Sequence, residues 1–119
     1  RRLTANRYDD ALSKVSGVSV RTATAEETWS YQSYVVLLDD EIDRNAAIAN
    51  MDSMGIETTI GTYACHQHPA FCSQGIRSDG LSNATRYANQ TLTLPLVANM
   101  STSEVDRVVA ALISTIGQQ

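Results

Sequence analysis

The stretch GTYACHQHPAFC, Gly61 to Cys72, holds both cysteines and both histidines of the 119-residue chain. Thiolates and imidazoles are the side chains that bind zinc, and a thiol with an imidazole in reach makes a nucleophile. Three readings compete for this segment: a metal site, a Cys65–Cys72 disulfide loop, or a loop that presents polar groups to a substrate.

Spacing weighs against the first two. Structural zinc sites use separated pairs of ligands, so that the metal ties distant segments together. Here Cys65, His66, His68 and Cys72 fall in one loop. Cys65 and His66 are adjacent, so their side chains diverge on extended backbone. A Cys65–Cys72 bridge would close only a small loop, in a chain without an export signal. Small packing residues are the simplest reading of both cysteines. A cysteine next to a histidine in sequence is no dyad, because the base must reach the thiol in space. Neither G-x-S-x-G nor H-E-x-x-H occurs, and GIETTIG lies on an expected strand rather than at a helix start. Asp39, Asp40, Glu41 and Asp43 lack the spacing of an EF-hand and read as a helix start. The sequons at Asn83, Asn89 and Asn99 read as chance matches. No metal site and no catalytic residue is expected.

The elements that must position this loop follow from periodicity. Leu3, Tyr8, Ala11, Leu12 and Val15 predict a helix over Arg2 to Ser13, stopped by Gly17. VSV, Val18 to Val20, reads as a short strand, and YQSYVVLL, Tyr31 to Leu38, as a central one. A helix with an acidic first turn, capped by Asp40 or an adjacent acid, runs to Met54 and buries Ala47, Ile48, Met51 and Met54. Gly55 stops it. Ile56 to Ile60 reads as a strand, Pro69 as the first turn of a short helix, and Ser82 as at or near the cap of a helix through Gln90. LTLPL is extended, with Pro95 at an edge or an end. Ser101 and Glu104 form a capping box for a last helix whose stripe is Val105, Val108, Val109, Leu112, Ile113 and Ile116. The sum is one domain over 1–119: a two-layer α+β fold, a small, mostly antiparallel sheet with helices packed against it.

Nine basic and thirteen acidic residues give a net charge of −4, with no basic face for a nucleic acid. No apolar run reaches membrane-spanning length. The chain reads as soluble and cytoplasmic.

The order of segments adds what spacing does not. RRLTANRYDDAL, YQSYVVLLD, GIETTIGTYACHQHPAF, DGLSNATRYANQTLTLPL and MSTSEVDRVVAAL resemble, almost end to end, the C-terminal part of the DegT/DnrJ/StrS-type sugar aminotransferases. The most specific pieces are GTYACHQHPAF, similar to G-T-Y-A-x-H-x-Q-P-A-[FY], and LTLPL with M-S-T-S-E-V-D-R-V-V. Cys65 stands where the family often has leucine, His68 where it often has glutamine, and Ser82 where proline is common. The resemblance implies a fold type I, pyridoxal-phosphate-dependent enzyme that moves an amino group from glutamate to a keto sugar nucleotide. It implies that this chain is the small domain, starting at Arg1 and lacking the N-terminal cofactor-binding domain with its Schiff-base lysine. The lone Lys14 lies at a helix end and reads as an exposed cation favoured by the helix dipole. Cofactor-binding residues are therefore expected to be absent here, and Tyr63 and His66 to face the substrate. The alternative is a free-standing small domain acting as a binding module. A continuous upstream reading frame carrying a cofactor lysine would discriminate the two.

The resemblance also implies a homo-oligomer, and a small domain that packs on a large one. Without that partner, bared apolar surface should drive the isolated chain to self-associate. Light scattering that finds a strict monomer at high concentration would contradict this.

Overall fold

Strand β2, Tyr34–Leu38, alternates buried and half-buried residues, so Tyr34, Val36 and Leu38 share one face. Strand β4, Thr91–Leu94, turns Leu92 and Leu94 to the same face, because Tyr34 pairs with Leu94 and Val36 with Leu92. Strand β1, Val18–Val20, flanks β2, and β3, Thr59–Ile60, flanks β4. The computed structural model, which describes residues 1–72 and 79–117 (Cys72 by its backbone alone), thus contains a sheet of order β1-β2-β4-β3. Every pairing is antiparallel, in agreement with the expected α+β fold.

Three helices meet the apolar face: α1, Arg2–Leu12; α2, Arg44–Ser53; and α5, Thr102–Ile116. Tyr8, Leu12, Met51, Val105 and Leu112 join Val36, Leu38, Leu92 and Leu94 in one core. A 3-10 turn, Cys65–Gln67, a short α3, Pro69–Cys72, and α4, Ser82–Gln90, carry the chain from β3 back to β4. The core holds two polar anchors. The Tyr8 hydroxyl donates to the Pro95 carbonyl at 2.9 Å, and the Tyr34 hydroxyl to Asp9 Oδ1 at 2.6 Å. Burial pushes the Tyr8 phenol up to about 12.

Several expected boundaries move, each for a local reason. Leu3 is exposed, and the α1 stripe runs instead through Thr4, Ala5, Tyr8 and Leu12. Five residues of helix turn through roughly 500°, which puts Leu3 about 140° from Tyr8. β2 begins at Tyr34 rather than Tyr31, whose φ of +48° breaks an extended run. The acids before α2 lie outside it. Asp43 is the cap, accepting from the N–H groups of Asn45 and Ala46, and the first turn contains no acid. Met54 is half-exposed at the C-cap.

β3 shrinks to Thr59–Ile60 because the Ile56 N–H is already committed to the Met51 carbonyl. The Gly55 N–H donates to Asp52, and Gly55 has φ +70°, a Schellman ending that only glycine adopts without strain. Ser82, expected at or near the α4 cap, is the first residue of the helix; Leu81 occupies the cap position and makes no side-chain cap bond. Pro95 follows the end of β4, and Ile113 is exposed on the outer side of α5.

The α5 capping box forms as the sequence predicts. Ser101 Oγ accepts from the Glu104 N–H, and Glu104 Oε2 accepts from the Ser101 N–H at 2.7 Å. The Ser101 backbone N–H, then the Ser101 hydroxyl, hold the Glu104 carboxyl below its ordinary 4.5. A lowered carboxyl stabilises the fold above its unfolded pKa, and that contribution disappears as pH falls through the folded value. Ser101→Ala should cost about 1 kcal/mol. Glu104→Gln should flatten the loss of stability on acidification below about pH 4.5, read by denaturant melts at several pH values.

Candidate functional site

The site begins where β3 ends. The Gly61 N–H donates to the Thr91 carbonyl at 3.0 Å. A Cβ on Gly61 would lie 2.6 Å from Thr91 Cβ and from Val35 Cγ1, so only glycine lets the backbone pass this close to β2 and β4. The chain then leaves the sheet. Thr62 and Tyr63 project outward, and Tyr63 is 78% exposed.

The 3-10 turn next divides the polar side chains. His66 turns toward α4, where its Nε2 is hydrogen-bonded to Thr85 Oγ1 at 3.0 Å, the donor being set by the tautomer. His68 Nδ1 accepts from the Ala70 N–H at 3.2 Å, which places the proton of a neutral ring on Nε2. Tyr63 and His68 line a cleft of about 290 Å³ with Thr62, Gln67, Asn89 and Arg44. His66 does not line that cleft. The two residues expected to face substrate, Tyr63 and His66, are therefore on one loop but not in one pocket.

Sequence reasoning missed Arg44 and Thr85. Neither has a fixed spacing to the loop, and each reaches it from its own helix. For Arg44 a signal existed. It is the first residue of α2, where the positive end of the helix dipole disfavours a cation. It stays because its Nη1 donates to the Thr91 carbonyl at 3.0 Å and its Nε to Asn45 Oδ1 at 2.9 Å. Desolvation lowers the guanidinium pKa, and Asp43 opposes that.

Cys65 is exposed, while the Cys72 side chain falls outside the described residues, and with it the Cys65–Cys72 question. Among the described residues no three of His, Cys, Asp and Glu converge as metal ligands. In the acidic run, Asp40 pairs with Arg86 at 2.9 Å and Asp43 caps α2. No helix of the described residues is long and apolar enough to cross a membrane.

Comparison with known proteins bears on this arrangement. The profile of the DegT/DnrJ/EryC1/StrS aminotransferase family matches residues 1–113. The spore coat polysaccharide biosynthesis protein SpsC of Bacillus subtilis (strain 168) is 28% identical over 113 residues, 91% of this chain and 29% of that protein. The crystal structure of the aminotransferase TlmJ from Streptoalloteichus hindustanus matches with a TM-score of 0.83 at 30% identity, over 98% of this chain and 31% of that one. Spr1654 from Streptococcus pneumoniae, in its PLP-form, shares the fold with a TM-score of 0.88 at 19% identity, over 98% of this chain and 30% of that one. The chain spans less than a third of the length of these relatives. With a profile match running from the first helix into the last, and through the Tyr63 loop between them, the chain belongs to the DegT/DnrJ/EryC1/StrS aminotransferase family.

Proposed function

We propose that the chain is the C-terminal small domain of a cytoplasmic, pyridoxal-phosphate-dependent sugar aminotransferase, and that it transfers no amino group by itself. In the full-length, homo-oligomeric enzyme it packs on an N-terminal cofactor-binding domain. The reaction moves an amino group from glutamate to a keto sugar nucleotide. One observation carries the reading: the family match runs through a loop that holds Tyr63 outward and His66 oriented by Thr85.

When bound, pyridoxal phosphate supplies the electron sink for amino transfer. The described residues of this chain do not fit that cofactor. Lys14, its only lysine, is exposed at the end of α1 beside Asp39 and Glu41. Carboxylates beside the amine repel the cofactor's phosphate. Incubation with pyridoxal phosphate and borohydride should therefore label Lys14 or the amino terminus weakly and below stoichiometry. A stoichiometric adduct with transaminase activity would sink this reading.

The chain's own contribution is recognition. Thr85 fixes the plane of the His66 ring, and a fixed imidazole can donate to a sugar hydroxyl or a diphosphate oxygen. A hydrogen bond to a charged group is worth about 1.5–3 kcal/mol, or about one to two powers of ten in affinity. In the full-length enzyme, His66→Ala should raise KM for the nucleotide sugar by that factor and leave the half-reaction with glutamate intact. Thr85→Val should act in the same direction but less, since it removes one hydrogen bond to the ring and keeps the imidazole. His68→Gln, which restores the common family residue, should be mild. Unchanged kinetics in His66→Ala, at normal stability, would make His66 a structural residue.

A further inference from the structure

His68 closes the loop on its own backbone. It stands immediately before α3 with φ −77° and ψ 131°, the extended conformation of a residue that caps a helix start. Pro69 follows as the first helical residue and has no N–H to satisfy. The next free donor of the first turn is the Ala70 N–H. His68 Nδ1 accepts from it at 3.2 Å. The His68 carbonyl accepts from the Phe71 N–H at 2.9 Å, and the imidazole lies tilted against the Phe71 ring with centroids 5.9 Å apart. The imidazole thus takes the place that Ser, Thr, Asp or Asn holds at most helix starts.

A serine or asparagine cap keeps its acceptor whatever the pH. An imidazole does not, because both nitrogens of the protonated ring are donors. Once Nδ1 carries a proton it meets the Ala70 N–H donor to donor, and the ring must turn away. The Phe71 ring attracts the charged imidazole, but a ring drawn over Phe71 offers no acceptor to Ala70.

The surroundings of His68 do not restore the contact. From α2, the Arg44 guanidinium lines the same cleft and repels a second cation. From the loop, the Tyr63 phenol lines it too. His66, in the adjoining 3-10 turn, is bonded to Thr85, and Cys65 is exposed there. α4 contributes Ala88 and Asn89, neither of them charged. Asp40, Glu41 and Asp43 line a neighbouring pocket with Arg44, and Asp43 acts on that guanidinium. Among the described residues, no carboxylate lines the cleft beside His68.

We propose that His68 is a pH-sensitive cap: neutral, it pins the first turn of α3 and keeps its ring in the cleft that Tyr63 lines; protonated, it gives up both positions. The device does not depend on what the loop binds.

The test uses the 119-residue chain, nitrogen-15 labelled, studied from about pH 8 to pH 5, the interval in which imidazoles change charge. Protection of the Ala70 amide from exchange, taken relative to the intrinsic rate at each pH, should fall about twofold to tenfold, the loss of one neutral hydrogen bond. The fall should follow the ring resonances of His68. His68 is exposed, so substitutions there spare the core. His68→Asn supplies an acceptor that does not titrate, and Ala70 should stay protected throughout. His68→Ala should leave Ala70 poorly protected at every pH. His66→Ala should leave the Ala70 curve in place, which separates the two imidazoles. Protection that holds constant while the His68 ring titrates would overturn the proposal. So would an equal fall in His68→Asn, or a curve that follows the His66 ring and vanishes in His66→Ala.

Discussion

Strand β4 has one register that works, and the rest of the molecule is placed by it. Leu92 and Leu94 lie on the face that α1, α2 and α5 cover, opposite Val36 and Tyr34. A slip of one residue would turn Thr91 and Thr93 into the core and both leucines out of it. Burying a leucine is worth about 1.5–3 kcal/mol, against about 1 kcal/mol for a hydrogen bond such as that of the Tyr8 hydroxyl. Apolar burial therefore sets the register, and the polar contacts follow it. Because β4 lies between β2 and β3, the same register also fixes where the β3 edge ends.

The site is a consequence of that register. With Leu92 inward, the Thr91 carbonyl is left to accept both the Gly61 N–H and the Arg44 guanidinium. One atom thereby joins the end of β3, the start of α2 and the junction of α4 with β4. The missing side chain at Gly61 makes the approach possible, and the Schellman ending at Gly55 delivers the chain to it in the right direction. The loop then divides its polar groups, with Tyr63 and His68 on the Arg44 cleft and His66 on α4. The enrichment of histidine and cysteine in one segment thus has an explanation other than shared metal ligation: the histidines have different neighbours and different hydrogen bonds.

Arg44 shows how a locally unfavourable choice is kept by tertiary context. A cation in the first turn of a helix works against the dipole by a few tenths to about 1 kcal/mol. The bond to Thr91, which satisfies a carbonyl at the start of β4, offsets a cost of that size. Neither partner lies near the other in sequence, so helix propensity alone marks Arg44 only as an oddity.

The sequence by itself determined the elements whose cause is local. The capping box of Ser101 and Glu104, the Gly55 stop, the central strand within Tyr31 to Leu38 and the long stripe of α5 all arise between residues a few positions apart, and all are present. The order of motifs carried the family, because GTYACHQHPAF and its neighbours keep their register along almost the whole chain. Tertiary structure alone decided what depends on distant partners. It set the order β1-β2-β4-β3, shortened β3 to two residues, put Leu3 in solvent and turned His66 to Thr85. It also brought Arg44 to Tyr63, the least legible feature of the site. The physical reason is that a hydrogen bond or a packed face between residues tens of positions apart leaves no period in the sequence. Its geometry exists only once β4 has found its place between β2 and β3.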